Sequence, residues 1–496
     1  MGIFKDNFTL LKKASEPLYK TPKSVQQTIE ILKISEGGIF EVAPGKYSKS
    51  YKFSDVNYTT RSEDEQESFF QKYCKCLNSL DCVFKITVNN KNKDMEALKR
   101  DVMLSYENDG FDKMRKSYNN IIEEKIMEGR QGIEQERYIT ITIERKNFEE
   151  AKAQFTTIEN SMFKSFSELG SRLIPLTGDE RLKVLHDYYR LGREEEFDFC
   201  IRDRKKTGAD FRNDICNSKL KFYQDYYEDE SKVCRAIYIK KYPTYLSDRF
   251  FTELTFFPIH SITSVDVVPV PKDMTMRILQ KKYLGIESDI IKQQQTRNKN
   301  NDFSSEISYT TRRQKAEIED IMNNVRENDE SLFFVGVTMV VMADTLEELD
   351  SICESIDSIA RGAGCSIDIC QYKQREALNT ALPIGVRQIE TMRTMLTQSL
   401  AVLMPFNIQE LCDKGGIYYG VNQVSKNIIV GNRKKLLNGN GFIFGVSGAG
   451  KSFQAKMEMG SVLLSTKDNV ICVDPMNGAK RSYLKRVGAI FIKLYA

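Results

Sequence analysis

Gly441–Ser452 reads GFIFGVSGAGKS, an apolar run entering a glycine-rich loop that closes on a lysine and a hydroxyl. Gly445, Gly450, Lys451 and Ser452 satisfy G-x-x-x-x-G-K-[ST], the spacing of a phosphate-binding loop. The flanks follow the order such a loop needs. Phe442, Ile443 and Phe444 predict a short buried strand, and Ser452 onward predicts a helix to about Leu464. Gly445, Gly448 and Gly450 admit backbone angles and a close ligand approach that side chains would block. The N–H groups of Gly445, Val446, Ser447, Gly448, Ala449 and Gly450 could then converge on phosphate oxygens, helped by the helix N-terminus. Lys451 is expected to reach the β and γ phosphates of ATP, and Ser452 to place its hydroxyl on Mg²⁺. The alternative is a strand–helix turn that takes no ligand.

Downstream, Val470–Asp474 predicts a second strand whose end meets the edge occupied by the loop, and Ile490–Ile492 predicts a third. Asp474 suits a structural or water-organising acid better than a Mg²⁺-holding one, and no apolar strand ending in Asp-Glu follows Glu458. A complete ATPase needs that carboxylate, a water-orienting residue and usually an arginine finger. The expectation is therefore a nucleotide-binding segment with no complete catalytic set, inactive alone.

The rest of the chain sets the frame. Its 496 residues exceed what one core usually holds. Hydrophobic residues at 41% and charged residues at 29% fit globular domains rather than disorder. The balance of 73 basic against 69 acidic residues does not demand a nucleic-acid surface, although DNA contact stays open. Eleven cysteines form no C-x-x-C pair and only His186 and His260 are present, which argues against a zinc site. The longest apolar run, Leu332–Ala343, is too short for a membrane span and reads as a buried strand. The N-terminus lacks an apolar signal core, so any membrane contact is expected through partners.

The organisation read from pattern is an α+β N-terminal region followed by the start of an α/β phosphate-loop domain. Residues 1–30 are expected as a flexible arm, 31–385 as the α+β region with a mobile polar loop at 292–311, and 386–496 as a linker helix and incomplete phosphate-loop domain. Within the α+β region a unit recurs. Tyr138–Ile143 alternates as a strand, Asn147 can cap, and Glu149 and Glu150 open a helix to about Leu169. Phe333–Met342 is again a strand, Asp344 or Thr345 can cap a helix, and Cys365–Cys370 returns as a strand. These are either two related halves or ordinary elements that coincide.

With those residues in view, the chain resembles the conjugation and type IV secretion ATPases of Gram-positive mobile elements, the counterpart of the largest ATPase of Gram-negative systems. The strongest block is Leu396–Phe453, with MPF at Met404–Phe406 and KGGIYYG at Lys414–Gly420 ahead of the loop. TPKSVQQTI at Thr21–Ile29, FSDVNY at Phe53–Tyr58, ADTLEELD at Ala343–Asp350 and LPIG at Leu382–Gly385 add to it. The resemblance implies ATP and Mg²⁺ as ligands and an N-terminal half that contacts other secretion components. It also implies a homo-oligomer, a hexamer, held at the inner face of the cell membrane and energising channel assembly or DNA transfer. It departs from the family where Asp-Pro-Glu-x-Glu-Tyr is expected, since Asp474-Pro475-Met476-Asn477-Gly478-Ala479 lacks the acidic pair. Family members continue for a few hundred residues past this point, so the chain is expected to be the N-terminal region plus part of the motor. A scaffold that docks to secretion components without hydrolysing ATP is the competing expectation.

Overall fold

The computed structural model describes residue 22 and residues 24–492, apart from 93–94, 129–132, 192, 194–195, 209, 217–218, 231, 244, 258, 300–308, 328–329, 409, 423–426, 467 and 474–489. Most of the expected arm, and residues 474–489 with Asp474 among them, lie outside the described residues.

The architecture is α+β, built on a large antiparallel sheet. The strands are β1 (Lys33–Ile34), β2 (Ile39–Ala43), β3 (Lys46–Phe53), β4 (Val83–Asn92), β5 (Ile133–Glu144), β6 (Leu173–Pro175), β7 (Leu220–Phe222), β8 (Tyr227–Asp229), β9 (Lys232–Lys241), β10 (Ser261–Val270), β11 (Leu332–Ala343), β12 (Ser366–Ile369) and β13 (Arg393–Leu396). Their order is β1-β2-β3-β5-β4-β10-β11-β9-β8-β7, with β6 on β3, β12 on β9 and β13 on β11.

That order contains the recurrence. In the first half β3, a helix at Glu63–Asn78, β4, a helical insertion at 95–128, β5, a helix at Phe148–Leu169 and β6 follow one another. In the second, β9, a helix at Arg249–Thr255, β10, an insertion at 272–327, β11, a helix at Leu346–Gly362 and β12 do the same. The halves pair as β6-β3-β5-β4 and β12-β9-β11-β10, two split βαβ arrangements joined where β4 runs antiparallel to β10. The expected helix caps hold. Asn147 accepts from Glu150 N–H at 2.9 Å and Thr345 from Glu348 N–H at 3.2 Å, each with acidic residues in the first turn.

Strand alternation gives the sheet two different faces. On one, Phe84, Ile86, Ile139, Ile141, Val265, Val267, Val335 and Val337 form a dry core under the four helices named above. Met404 and Phe406 seal it. Phe406 lies edge-on to Phe69 at 5.4 Å and to Tyr73 at 5.7 Å between ring centroids. The other face carries buried polar side chains from the same strands, among them Ser48, Ser50, Lys85, Thr87, Thr140, Thr142, Ser264 and Asp266. Helices at Gly178–Tyr189 and Gln374–Ala381 flank it.

The segment Thr380–Val386 crosses that polar face and accepts bonds from several of its side chains with main-chain carbonyls, while Thr87 Oγ1 and one Asp266 oxygen stay unbonded. Ser48 Oγ donates to Ile384 O at 2.6 Å, Ser50 Oγ to Pro383 O at 3.1 Å and Thr142 Oγ1 to Gly385 O at 3.0 Å. Arg181 donates to Gly38, Ser48, Pro383 and Ile384 carbonyls and stacks on Phe40 at 3.9 Å. Burial pulls its guanidinium down to about 9. Lys85 bonds the carbonyls of Thr380 and Val386 and pairs with Asp266 at 3.4 Å. Burial holds Lys85 below and Asp266 above their ordinary values, and each partner opposes the other's shift. Gly385 has φ +91, and a Cβ there would stand 2.6 Å from Ser48 Cβ. Only glycine fits so close to the sheet in that conformation.

Two expectations from the sequence give way. Val386–Met404 is not one linker helix. It forms β13 and a short helix at Thr397–Ala401, with Met395, Leu400, Leu403 and Met404 in the aromatic core. Antiparallel pairing of β13 with β11, Phe333 opposite Met395, outweighs the helical pattern. Within the polar stretch 292–311, residues up to Lys299 continue a helix from Lys272, and another helix begins at Tyr309. Lys, Gln and Arg are good helix formers, so a polar run of them need not be a loop. Residues 300–308 lie outside the described residues.

Candidate functional site

After Phe406 the chain leaves the sheet and forms a hairpin, β14 (Ile417–Val421) with β15 (Ile428–Gly431). The hairpin rests on the first helical insertion. Ile428 and Val430 pack with Val102, Tyr118, Ile122 and Ile126. Tyr418 N–H donates to Tyr118 Oη at 3.3 Å, and Lys414 pairs with Asp101 at 3.2 Å.

Beyond it, Lys451–Ser465 is helical, as the motif requires. Gly450 stands at its N-cap with φ +87, and Gly448 has φ +83. A turn bond from Ala449 N–H to Val446 O at 3.2 Å closes the loop. Lys451 folds back over it, donating from Nζ to Gly445 O at 2.7 Å and Val446 O at 2.8 Å. No side chain caps the helix and its first turn holds no acidic residue. An anion would thus meet helix N–H groups, the lysine ammonium and the adjacent Ser452 hydroxyl without a competing carboxylate. These residues fit a phosphate group. For a metal ion they offer one hydroxyl, and no cluster of three or more His, Cys, Asp or Glu suited to a metal occurs among the described residues.

The structure corrects one part of the motif reading. Phe442, Ile443 and Phe444 are not a buried strand. They are irregular, and Phe442 and Phe444 are 83% and 86% exposed, stacked on each other at 5.8 Å. A strand forms only against a neighbour that accepts its backbone bonds and covers its side chains. Downstream, β16 (Ile471–Val473) and β17 (Ile490–Ile492) do form and pair in parallel, as expected from their sequence, but as a separate two-stranded sheet.

Sequence reasoning missed a cluster beside the loop. Arg433, just after β15, pairs with Glu458 of the loop's helix at 2.7 Å and donates to Tyr419 Oη at 3.0 Å. Tyr419 Oη also donates to Glu458 at 3.0 Å. Partial burial and the bond to Glu458 raise the phenol above its ordinary value. The only available signal was the run Arg433-Lys434-Lys435, which reads as a solvated charge cluster.

Neither a scan against protein-family models nor a search of the curated proteins returned a match. Among the described residues no helix is long and apolar enough to cross a membrane.

Proposed function

We propose that this chain is the nucleotide-binding component of a conjugative transfer or type IV secretion apparatus, taking ATP at Gly445–Ser452. The observation that carries the reading is the loop itself. Two glycines with left-handed backbone open an uncapped helix whose first residues are Lys451 and Ser452. In the nucleotide-bound state Lys451 exchanges its bonds to Gly445 and Val446 carbonyls for phosphate oxygens. The loop N–H groups and helix N-terminus hold the phosphates, and Ser452 offers its hydroxyl to Mg²⁺. The assignment to conjugation rests on the resemblance of Leu396–Phe453 and the shorter blocks. With it come a homo-oligomeric, hexameric state, peripheral placement at the inner membrane face and contacts with other secretion proteins.

The test is calorimetric titration of the full chain with Mg-ATP, beside Lys451→Ala. Binding is expected in the first and a loss of at least about tenfold in the second, equivalent to ~1.4 kcal/mol. Equal titrations would sink the reading. A second reading, a docking scaffold that does not hydrolyse ATP, is favoured by the size of the antiparallel region, which packs its own cores without the loop. Phosphate release measured from the same two proteins separates the readings.

A further inference from the structure

Apart from the half-buried Lys451 the loop's own residues are exposed, and its helix is anchored by side chains from outside it. Three side chains converge from three segments: Tyr419 on β14, Arg433 after β15 and Glu458 about two turns into the loop's helix. They form a closed triangle of hydrogen bonds at 2.7, 3.0 and 3.0 Å. Arg433 reaches a fourth segment as well. A Cβ on Gly441, at the entrance to the apolar run, would stand 2.9 Å from its Nη1. Glycine there lets the chain pass against the guanidinium face. The guanidinium thus touches the hairpin, the helix and the loop entrance together, and its fork geometry suits that bridging better than a lysine would.

The hairpin that supplies this anchor is itself seated. Along β14, Tyr418 packs on the first insertion and donates its N–H to Tyr118 Oη, while Tyr419, at the register shift between Tyr418 and Gly420, bonds Glu458 of the loop's helix. One two-residue step therefore connects the sheet region to the loop.

We propose that Arg433 is a positioning residue for the phosphate loop, clamping the helix that begins at Lys451 onto the hairpin through Glu458 and Tyr419. The inference rests on the phosphate-loop reading above. Loosening the clamp lets the helix N-terminus and Lys451 drift from the geometry that three phosphate contacts need, at a cost that grows steeply with displacement.

The experiment is Mg-ATP titration of the full chain carrying Arg433→Ala, Arg433→Lys, or the exchange Arg433→Glu with Glu458→Arg, each with far-ultraviolet circular dichroism. Arg433→Ala is expected to weaken binding about tenfold with an unchanged spectrum. Arg433→Lys should recover part of the loss, and the exchange should return affinity to within roughly threefold of the parent. Parent-like binding by Arg433→Ala, or an exchange no better than Arg433→Ala, overturns the proposal. If the parent shows no binding sensitive to Lys451→Ala, the phosphate-loop reading fails, and amide hydrogen exchange decides the clamp separately. Exchange across 452–465 is expected to quicken about tenfold in Arg433→Ala, and unchanged exchange there overturns the clamp.

Discussion

The Thr380–Val386 strap and the Gly441–Ser452 loop are both short, glycine-bearing segments whose backbone faces polar side chains, yet they behave in opposite ways. In the strap, carbonyls are spent on Ser48, Ser50, Thr142, Lys85 and Arg181, and every one of those donors is buried. In the loop, Lys451 and the Ala449 N–H are the donors to the carbonyls of Gly445 and Val446, and the aromatic residues leading into it face solvent. The difference lies in neighbours rather than composition. Leu382-Pro383-Ile384-Gly385 has a sheet to lie on, whereas Phe442-Ile443-Phe444 has none. A backbone bonded by its own fold is structural, and one whose polar groups remain available is suited to a ligand.

The contrast can be broken by mutation. The largest effect is expected at the seam beneath the strap's continuation. Phe406→Ala should destabilise the sheet region by about 3–5 kcal/mol, because it removes an aromatic ring buried among Phe53, Phe69 and Tyr73. Urea unfolding followed by circular dichroism measures it, and a cost under about 1 kcal/mol would mean that this ring is not part of the core.

Next comes Gly385→Ala. The added Cβ would meet Ser48 Cβ at 2.6 Å in a left-handed backbone, so the strap must lift, at roughly 3 kcal/mol. Tolerance of this change would show that the strap is not held as described.

Acid provides a third probe. His260 is buried beside Lys91 and Lys232 with neither ring nitrogen bonded, and burial foremost pulls it down to about 4. The unfolded chain takes up the proton near pH 6.5. Between pH 6.5 and 4 the unfolded state therefore binds more protons, and stability falls as pH falls, by at most about 3 kcal/mol. Above pH 6.5 this site contributes no pH dependence. His260→Leu leaves no bonded partner orphaned and is expected to flatten that part of the stability profile. An identical acid slope in parent and variant would remove His260 from the account.

The smallest effect belongs to the loop side. Phe442→Ala and Phe444→Ala should each change unfolding of the sheet region by no more than ~0.5 kcal/mol, as exposed positions do. A loss above about 2 kcal/mol would mean that these rings are covered in solution and would erase the contrast.

Much of the sheet was legible. Alternation at Tyr138–Ile143 marked β5, the apolar run Leu332–Ala343 marked β11, and the Asn147 and Thr345 caps placed the helices that repeat. The repeat itself was only suggestive, because its proof is the pairing of β4 with β10 across more than a hundred and fifty residues, which local pattern does not encode. The polar face was illegible for the same reason. Ser48, Thr142 and Lys85 look like solvent-facing positions until the strap is laid over them. At the site, Gly445–Ser452 could be read because its spacing is local. Arg433, Tyr419 and Glu458 could not, since three separate segments bring them together.

The strap also carries a consequence for how the chain is made. Arg181 and Pro383 are separated by 202 positions in sequence, yet they share a buried bond. During synthesis at about 5–20 residues per second, the first half waits roughly 10–40 s before its covering segment leaves the ribosome. A first half that folds in that interval lacks the Pro383 and Ile384 carbonyls that take bonds from Arg181, Ser48 and Ser50 in the full fold. We expect nascent chains stalled short of residue 380 to be far more sensitive to protease at β3 than chains stalled well beyond it. Equal sensitivity would mean that the first half closes its polar face without waiting for the second.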